Sequence, residues 1–324
     1  MSTARAAVVR RLGDLPEVGD VRLPSRRAGE ALVRVLAAPV NPIDLALAAG
    51  TFYRGRPEVP FVPGKEAVGE VVEGDALPAG RRVWLEMPGG LGGDGAIAEA
   101  VVVPERDTVL LPDVAIEPRI AAALGIAGLA AWYPLSRLAR IKRGERVLVL
   151  GATGAVGTIG VQAARILGAG RVVAAARDRA ALERLRELGA DAVVVLEEGA
   201  DLVAAFTEAA GGPIDVTLDP IWGDVAVAAA TASGPMSRLL HVGRSASDTA
   251  TFPSSAIRGK GLSVIGYTHF NMSPAEREQC YRELVEHAAN HAITVDVTSA
   301  SLDDIADVWR RQAEFPRGKI FVTP

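Results

Sequence analysis

Apolar residues in the first hundred positions come in short runs broken by turn residues. Segments 31–35, 66–72 and 96–103 each read as a strand. Asn41-Pro42, Val62-Pro63-Gly64 and Met87-Pro88-Gly89-Gly90 punctuate them. Many short strands with such turns predict a compact β barrel or sandwich. From about Ile120 the pattern changes. Segment 146–150 is a continuous apolar run leading into a glycine, as expected of a strand buried in a parallel sheet. Segment 158–167 reads as helix and 171–176 as strand. Segment 179–188 reads as helix again, with Leu182, Leu185 and Leu188 on one face. Strand-like runs at 192–196, 214–218 and 239–242 continue the alternation, with helical segments between them. The whole predicts an α/β doubly wound parallel sheet. From about Tyr267, helical patterns at 274–290 and 303–315 precede a closing strand at 318–322.

The length of 324 residues is a prior for two domains. With 49% hydrophobic and 23% charged residues, the chain has ordinary globular usage rather than that of a disordered protein. Lys+Arg number 35 against 39 Asp+Glu, a net charge of −4, which argues against a basic nucleic-acid footprint. The single cysteine, Cys280, excludes an internal disulfide and a four-Cys zinc site. A reducing, cytoplasmic setting is expected. The longest charge-free apolar stretch, 120–133, stops at Pro134, short of the roughly 20 residues a bilayer crossing needs, so no membrane span is expected. Residues 1–11 lack the apolar core of a secretory signal.

After the run at 146–150 comes Gly151-Ala152-Thr153-Gly154-Ala155-Val156-Gly157. Between a strand and a helix, such a turn lets backbone N–H groups approach a pyrophosphate at the helix N-terminus. The bland alternative is a tight strand–helix turn and no more. Cofactor choice is tested at the end of the next strand, where NAD sites carry an acid for the ribose 2′-OH. Here Ala176 takes that place and Arg177 follows, a guanidinium fork suited to a 2′-phosphate, so NADPH is expected. Alternatively Arg177 and Arg179 are solvated, while Asp178 caps a helix or takes the ribose.

These motifs resemble the medium-chain dehydrogenase/reductase superfamily, and within it the zinc-free, zeta-crystallin-like quinone oxidoreductase branch. The resemblance rests on Asn41-Pro42-Ile43-Asp44, Val62-Pro63-Gly64-Lys65-Glu66, Ala127-Gly128-Leu129-Ala130-Ala131-Trp132, the turn at 151–157, Leu188-Gly189-Ala190-Asp191 and Gly318-Lys319. It implies a GroES-like, substrate-side domain from residues 1–119 and 267–324, with a Rossmann domain at 120–266. It also implies a homodimer through the Rossmann sheet edge, for which 262–265 is the apolar candidate. Zinc-dependent relatives place Cys where Asn41 stands, His where Lys65 stands, and a further Cys near Gly125 or Ile126. None of these residues is a good zinc ligand, and the four cysteines of a structural zinc loop are missing. His287 and His291, four apart on a predicted helix, could share a face but lack a third ligand.

Without a metal, no strong Lewis acid activates a plain ketone. The implied reaction is hydride transfer from NADPH to an acceptor that is already electrophilic, a quinone or an α,β-unsaturated carbonyl. The charge that develops then needs only hydrogen-bond donors. By resemblance, Asn41 sits beside nicotinamide and substrate. Tyr53 is a candidate donor, although relatives carry Tyr at the place of Phe52. Lys65 either stabilises enolate charge or forms a salt bridge with Asp44 or Glu66. Many relatives have Thr where Ala130 stands. Asp219, Val242, Gly243 and Arg244 fall at or after strand ends and are expected in the cofactor crevice, with Arg244 alternatively a surface cation. Phe52, Tyr53, Trp84, Tyr267 and Phe270 are candidate pocket walls. Reduction of enoyl thioesters, or non-catalytic NADPH binding by a sensor, are the alternative functions.

Overall fold

A computed structural model describes residues 3–314 and 317–324. In chain order, the first strands are β1 (Thr3–Val8), β2 (Glu17–Arg22) and β3 (Glu30–Pro39), followed by α1 (Pro42–Ala48). Next come β4 (Glu66–Glu73), β5 (Arg82–Glu86), β6 (Ala100–Pro104), β7 (Thr108–Leu110) and α2 (Pro118–Ala123). The α/β stretch holds α3 (Ile126–Tyr133), β8 (Arg146–Leu150), α4 (Ala155–Ile166), β9 (Arg171–Ala176), α5 (Arg179–Arg184), β10 (Ala192–Val195) and α6 (Leu202–Ala210). It continues with β11 (Ile214–Asp219), α7 (Asp224–Ala232), β12 (Ser233–His241), α8 (Ser254–Ile257) and β13 (Ser263–Gly266). The chain closes with α9 (Pro274–Ala289), β14 (Val297–Ser301), α10 (Ile305–Ala313) and β15 (Lys319–Thr323).

These elements form two compact units. The first comprises Met1–Gly125, Pro274–Ala289 and Asp296–Pro324; the second comprises Ile126–Ser273 and Asn290–Val295. In the first unit β1 and β2 form a hairpin, and a seven-stranded sheet runs β14-β15-β3-β4-β5-β7 with β6 also on β3. Val33, Val35, Ala67, Val71, Val83, Leu85, Ile97 and Ile320 fill its core, and Trp309 of α10 packs against them. In the second unit six parallel strands run β10-β9-β8-β11-β12-β13. This is the Rossmann order, and its direction reverses between β8 and β11, where open α/β sheets bind ligands. Leu148, Leu150, Val173, Ala175, Phe206 and Ala229 form a core on one of its faces. Together the units make the expected GroES-like plus Rossmann α/β architecture.

Some expected elements are reshaped. The run 96–103 becomes a strand only from Ala100. Before that, Ala96 N and Ile97 N donate to the carbonyls of Gly64 (2.8 Å) and Pro63 (3.1 Å). Gly64, at φ +107°, allows this approach, because a Cβ there would lie 2.7 Å from Ile97. The apolar stretch 120–133 is two helices that part around Gly125. The helix at 179–188 stops at Arg184, and Leu185 to Leu188 follow in turns. β12 begins at Ser233, well before the apolar run at 239–242. The pattern at 303–315 yields α10, and its expected last residue, Phe315, lies outside the described residues. His287 and His291 do not share a helix: α9 ends at Ala289 and His291 has φ +58°. The segment expected at the sheet edge is β13, the outermost strand, parallel to β12. Among the described residues no helix is long and apolar enough to cross a membrane.

Candidate functional site

Two features stand out, one in each unit. The first is a buried polar cluster at the start of α1. Pro42 opens the helix, where its missing N–H costs nothing. Asn41 precedes it in extended conformation, φ −110° and ψ 156°. Asp44 reaches back, its Oδ2 accepting from Asn41 N at 2.7 Å, as in half of a capping box. Its Oδ1 accepts from Lys65 N at 2.9 Å, so one carboxylate joins two distant segments. The Asn41 side chain turns inward. Its Nδ2 donates to Glu66 Oε1 at 3.0 Å, and Lys319 Nζ, from β15, donates to its Oδ1. The other Glu66 oxygen accepts from Trp84 Nε1 at 2.8 Å. Glu66 and Trp84 meet because β4 and β5 are antiparallel neighbours, with Val68 opposite Trp84.

Around this core, Lys65 Nζ donates to the carbonyls of Met87 (2.6 Å) and Pro88 (3.3 Å). Glu86 pairs with Arg277 of α9. Trp84 stacks on Tyr281, ring centroids 4.8 Å apart, and the Tyr281 hydroxyl donates to Ala121 O at 3.0 Å. Asn41, Asp44, Lys65, Glu66 and Lys319 are all buried. Burial pushes Asp44 up to about 6, against the pull of the Asn41 N–H and the Lys319 charge. Burial likewise lowers Lys65, opposed first by Glu86, and lowers Lys319, opposed by Glu66 and Asp44. Such burial is tolerable because Arg277 pairs with Glu86, and the Lys65 and Lys319 ammoniums, hydrogen-bonded to carbonyl oxygens, also feel the attraction of the Asp44 and Glu66 carboxylates.

The expected catalytic residues therefore separate. Asn41 and Lys65 are linked through Asp44, whereas Tyr53 is 67% exposed and its ring rests on Phe52, centroids 4.6 Å apart. Trp84, expected on a pocket wall, is fully buried inside the cluster. Lys319 is legible in the sequence only as half of a Gly-Lys motif. Its link to Asn41 spans 278 positions, and no spacing rule would find it.

The second feature is the glycine turn between β8 and α4. Gly151 has φ +57°, and Gly154 stands at the helix N-cap. A Cβ on Gly157 would lie 2.4 Å from Gly151 O, so only glycine lets the turn close this tightly. The first N–H groups of α4 have no preceding turn to bond and form the usual anion-binding end of a helix. Ala152 N donates to Ala175 O at 3.0 Å, and Thr158 Oγ1 to Ala152 O at 3.2 Å; both bonds brace the turn.

At the end of β9, Asp178 Oδ1 accepts from Ala181 N at 3.0 Å, so Asp178 caps α5. Arg179 pairs with Glu197 at 3.2 Å. Arg177 is exposed. Asp219 ends β11, its Oδ1 accepting from Ile221 N (2.9 Å) and Trp222 N (2.8 Å), while its buried Oδ2 has no hydrogen-bond partner among the described residues. Burial pushes Asp219 up to about 6. Val242 N donates to Asp219 O at 2.9 Å, and a Cβ on Gly243 would lie 2.6 Å from Pro220 O. Asp219, Val242 and Gly243 thus come together at the ends of β11 and β12. Arg244 is exposed and pairs with Asp248.

Residues 27–113 match the family model described as alcohol dehydrogenase GroES-like domain, and residues 155–290 the one described as zinc-binding dehydrogenase. The chain is 31% identical over 322 residues to a phenolphthiocerol/phthiocerol polyketide synthase polypeptide of Mycobacterium tuberculosis, a match covering 96% of this chain. The chain spans only 14% of that protein's length. It is 29% identical to the quinone oxidoreductase-like protein 2 homolog of Nematostella vectensis, over 94% of this chain and 85% of that one. A mycobacterial protein solved in complex with NADPH superposes with TM-score 0.85 at 25% identity, covering 99% of this chain and 100% of that one.

Proposed function

We propose, from the premise that this chain belongs to the medium-chain dehydrogenase/reductase superfamily in its quinone oxidoreductase-like branch, that it reduces a quinone or carbonyl-conjugated alkene with NADPH and without a metal. The observation that carries the reading is the buried cluster. The places where zinc-dependent relatives carry Cys and His hold the Asn41 amide and the Lys65 ammonium. The nearby Glu66 has both carboxylate oxygens in hydrogen bonds to Asn41 and Trp84. Among the described residues, no three His, Cys, Asp or Glu come together as a metal site. Zinc wants thiolate, imidazole or free carboxylate, so this donor set does not fit it, despite the name of the matching family model.

The glycine turn fits a dinucleotide. The N–H groups of Ala155, Val156 and Gly157 would take the pyrophosphate, and Arg177 the 2′-phosphate. Ala176 offers no carboxylate to a ribose hydroxyl, and Asp178 is already engaged as a cap, which supports NADPH over NADH. When bound, NADPH supplies the hydride. The chain's own residues then supply orientation and hydrogen-bond donors to the oxygen on which charge collects, with Asn41 the donor. The exposed Tyr53 does not strengthen its own claim to that role.

A second reading, reduction of an enoyl thioester, is favoured by the match to a polyketide synthase along nearly the whole chain. The test is oxidation of NADPH and of NADH by the purified protein with quinones, enones and a crotonyl thioester. NADPH-preferring turnover of a conjugated acceptor is expected, and the acceptor that reacts best separates the two readings. Tight NADPH binding without turnover of any acceptor would replace both with a binding module.

A further inference from the structure

The amide of Asn41 has four hydrogen-bonding valences, and the protein answers them unevenly. Its oxygen accepts from the Lys319 ammonium, and one Nδ2 hydrogen goes to Glu66 Oε1. The second Nδ2 hydrogen has no protein partner among the described residues, although Asn41 is 2% exposed. A buried donor left over in this way needs an acceptor that the protein itself does not provide.

The two bonds also decide which way the amide faces. In the opposite orientation its oxygen would meet the Glu66 carboxylate, and its NH2 would meet the Lys319 ammonium. Both contacts would be repulsive, and burial removes the water that would screen them. Trp84 Nε1 holds the other Glu66 oxygen, and Gly125 has no Cβ to push that carboxylate aside. Lys319 is itself held by the chain path, because Gly318 has φ +69° and a Cβ there would lie 2.3 Å from Asp296 O.

We infer that Lys319 is a positioning residue. Through Oδ1 it locks the Asn41 amide so that one N–H donor is presented to a ligand acceptor oxygen of the carbonyl type. The inference deepens the proposed function and rests on it.

The test is a double-mutant cycle of Lys319→Met and Asn41→Ala, with Lys319→Arg as the conservative variant, alongside thermal unfolding. A charged donor of this kind is worth roughly 10- to 100-fold in rate. Lys319→Met is expected to lower kcat by that factor and to leave KM for NADPH within about twofold. It should add nothing in the Asn41→Ala background, and Lys319→Arg should recover most of the loss. NMR gives a readout independent of turnover. The Asn41 side-chain amide, assigned by its disappearance in Asn41→Ala, should exchange slowly with solvent in the unaltered protein and roughly tenfold faster in Lys319→Met. If Lys319→Met does not fold, Trp84→Phe takes its place in the cycle and should show the same non-additivity at smaller amplitude.

Losses that simply add in the cycle, or an amide signal unmoved by Lys319→Met, would overturn the inference. Should the unaltered protein reduce no acceptor, the proposed reaction fails, and the NMR experiment still decides whether Lys319 locks the amide.

Discussion

Gly125→Ala adds one methyl group at the most crowded point of the buried cluster. Its carbon would lie 1.9 Å from Glu66 Oε2, 2.3 Å from Trp84 Nε1 and 2.9 Å from Trp84 Cε2. Favourable carbon contacts begin near 3.5 Å, so both the carboxylate and the indole must retreat by more than about 1 Å. Neither is free to do so. The 2.8 Å bond between them would break, and Trp84 is backed by the stacked Tyr281 ring. The lost charge-assisted bond costs about 1.5–3 kcal/mol. Overpacking adds about 1–3 kcal/mol. The reduced freedom of the unfolded chain returns about 0.4–1 kcal/mol. The net expectation is a destabilisation of about 2–5 kcal/mol, read from urea unfolding followed by tryptophan fluorescence and circular dichroism. Gly266→Ala is the control, because a Cβ there meets nothing within 4 Å. It should stay within about 0.5 kcal/mol of the unaltered protein. If Gly125→Ala proved as mild as Gly266→Ala, the account of a tightly fixed Glu66 would be wrong.

Lys65→Met removes an ammonium that donates to a buried and a half-buried carbonyl and should cost about 2–3 kcal/mol in the same unfolding assay; a fall in kcat with stability intact would instead return Lys65 to a catalytic role. Arg177→Ala should weaken NADPH roughly 10- to 100-fold by fluorescence titration and leave NADH nearly untouched, whereas equal effects on both would remove the cofactor argument. Burial raises Asp219 in the folded state from 3.8 to about 6, so folding holds its proton more tightly than the unfolded chain does. Its contribution to stability is therefore fullest below pH 4 and declines by about 3 kcal/mol as pH rises through 6. Asp219→Asn keeps an acceptor for Ile221 N and Trp222 N and should flatten that part of the pH profile; an unchanged slope would refute the assignment.

The parallel sheet is the most legible part of the chain. β8 and β9 can be read residue for residue, because a strand buried on both faces is an unbroken apolar run. The β1–β2 hairpin cannot, since Arg5, Glu17 and Asp20 interrupt it and one of its faces is largely exposed. The short α1 hides behind Asn41-Pro42, which reads equally well as a turn. At the site, the family resemblance leads to Asn41 and Lys65, and the glycine spacing leads to the turn. What their atoms touch is not readable from either. Arg277 meets Glu86 across 191 positions, and Lys319 meets Asn41 across 278. The second pair follows from β15 lying beside β3 and the first from the return of α9 to the first unit, and local patterns carry no record of either.

The most direct test of the central claim, hydride transfer from NADPH without a metal, is acceptor turnover by protein dialysed against a strong chelator and checked for residual metal by mass spectrometry. Full turnover of a quinone, enone or enoyl thioester in the metal-depleted protein is the expected result. Loss of turnover on depletion, with recovery on adding zinc, would contradict the account.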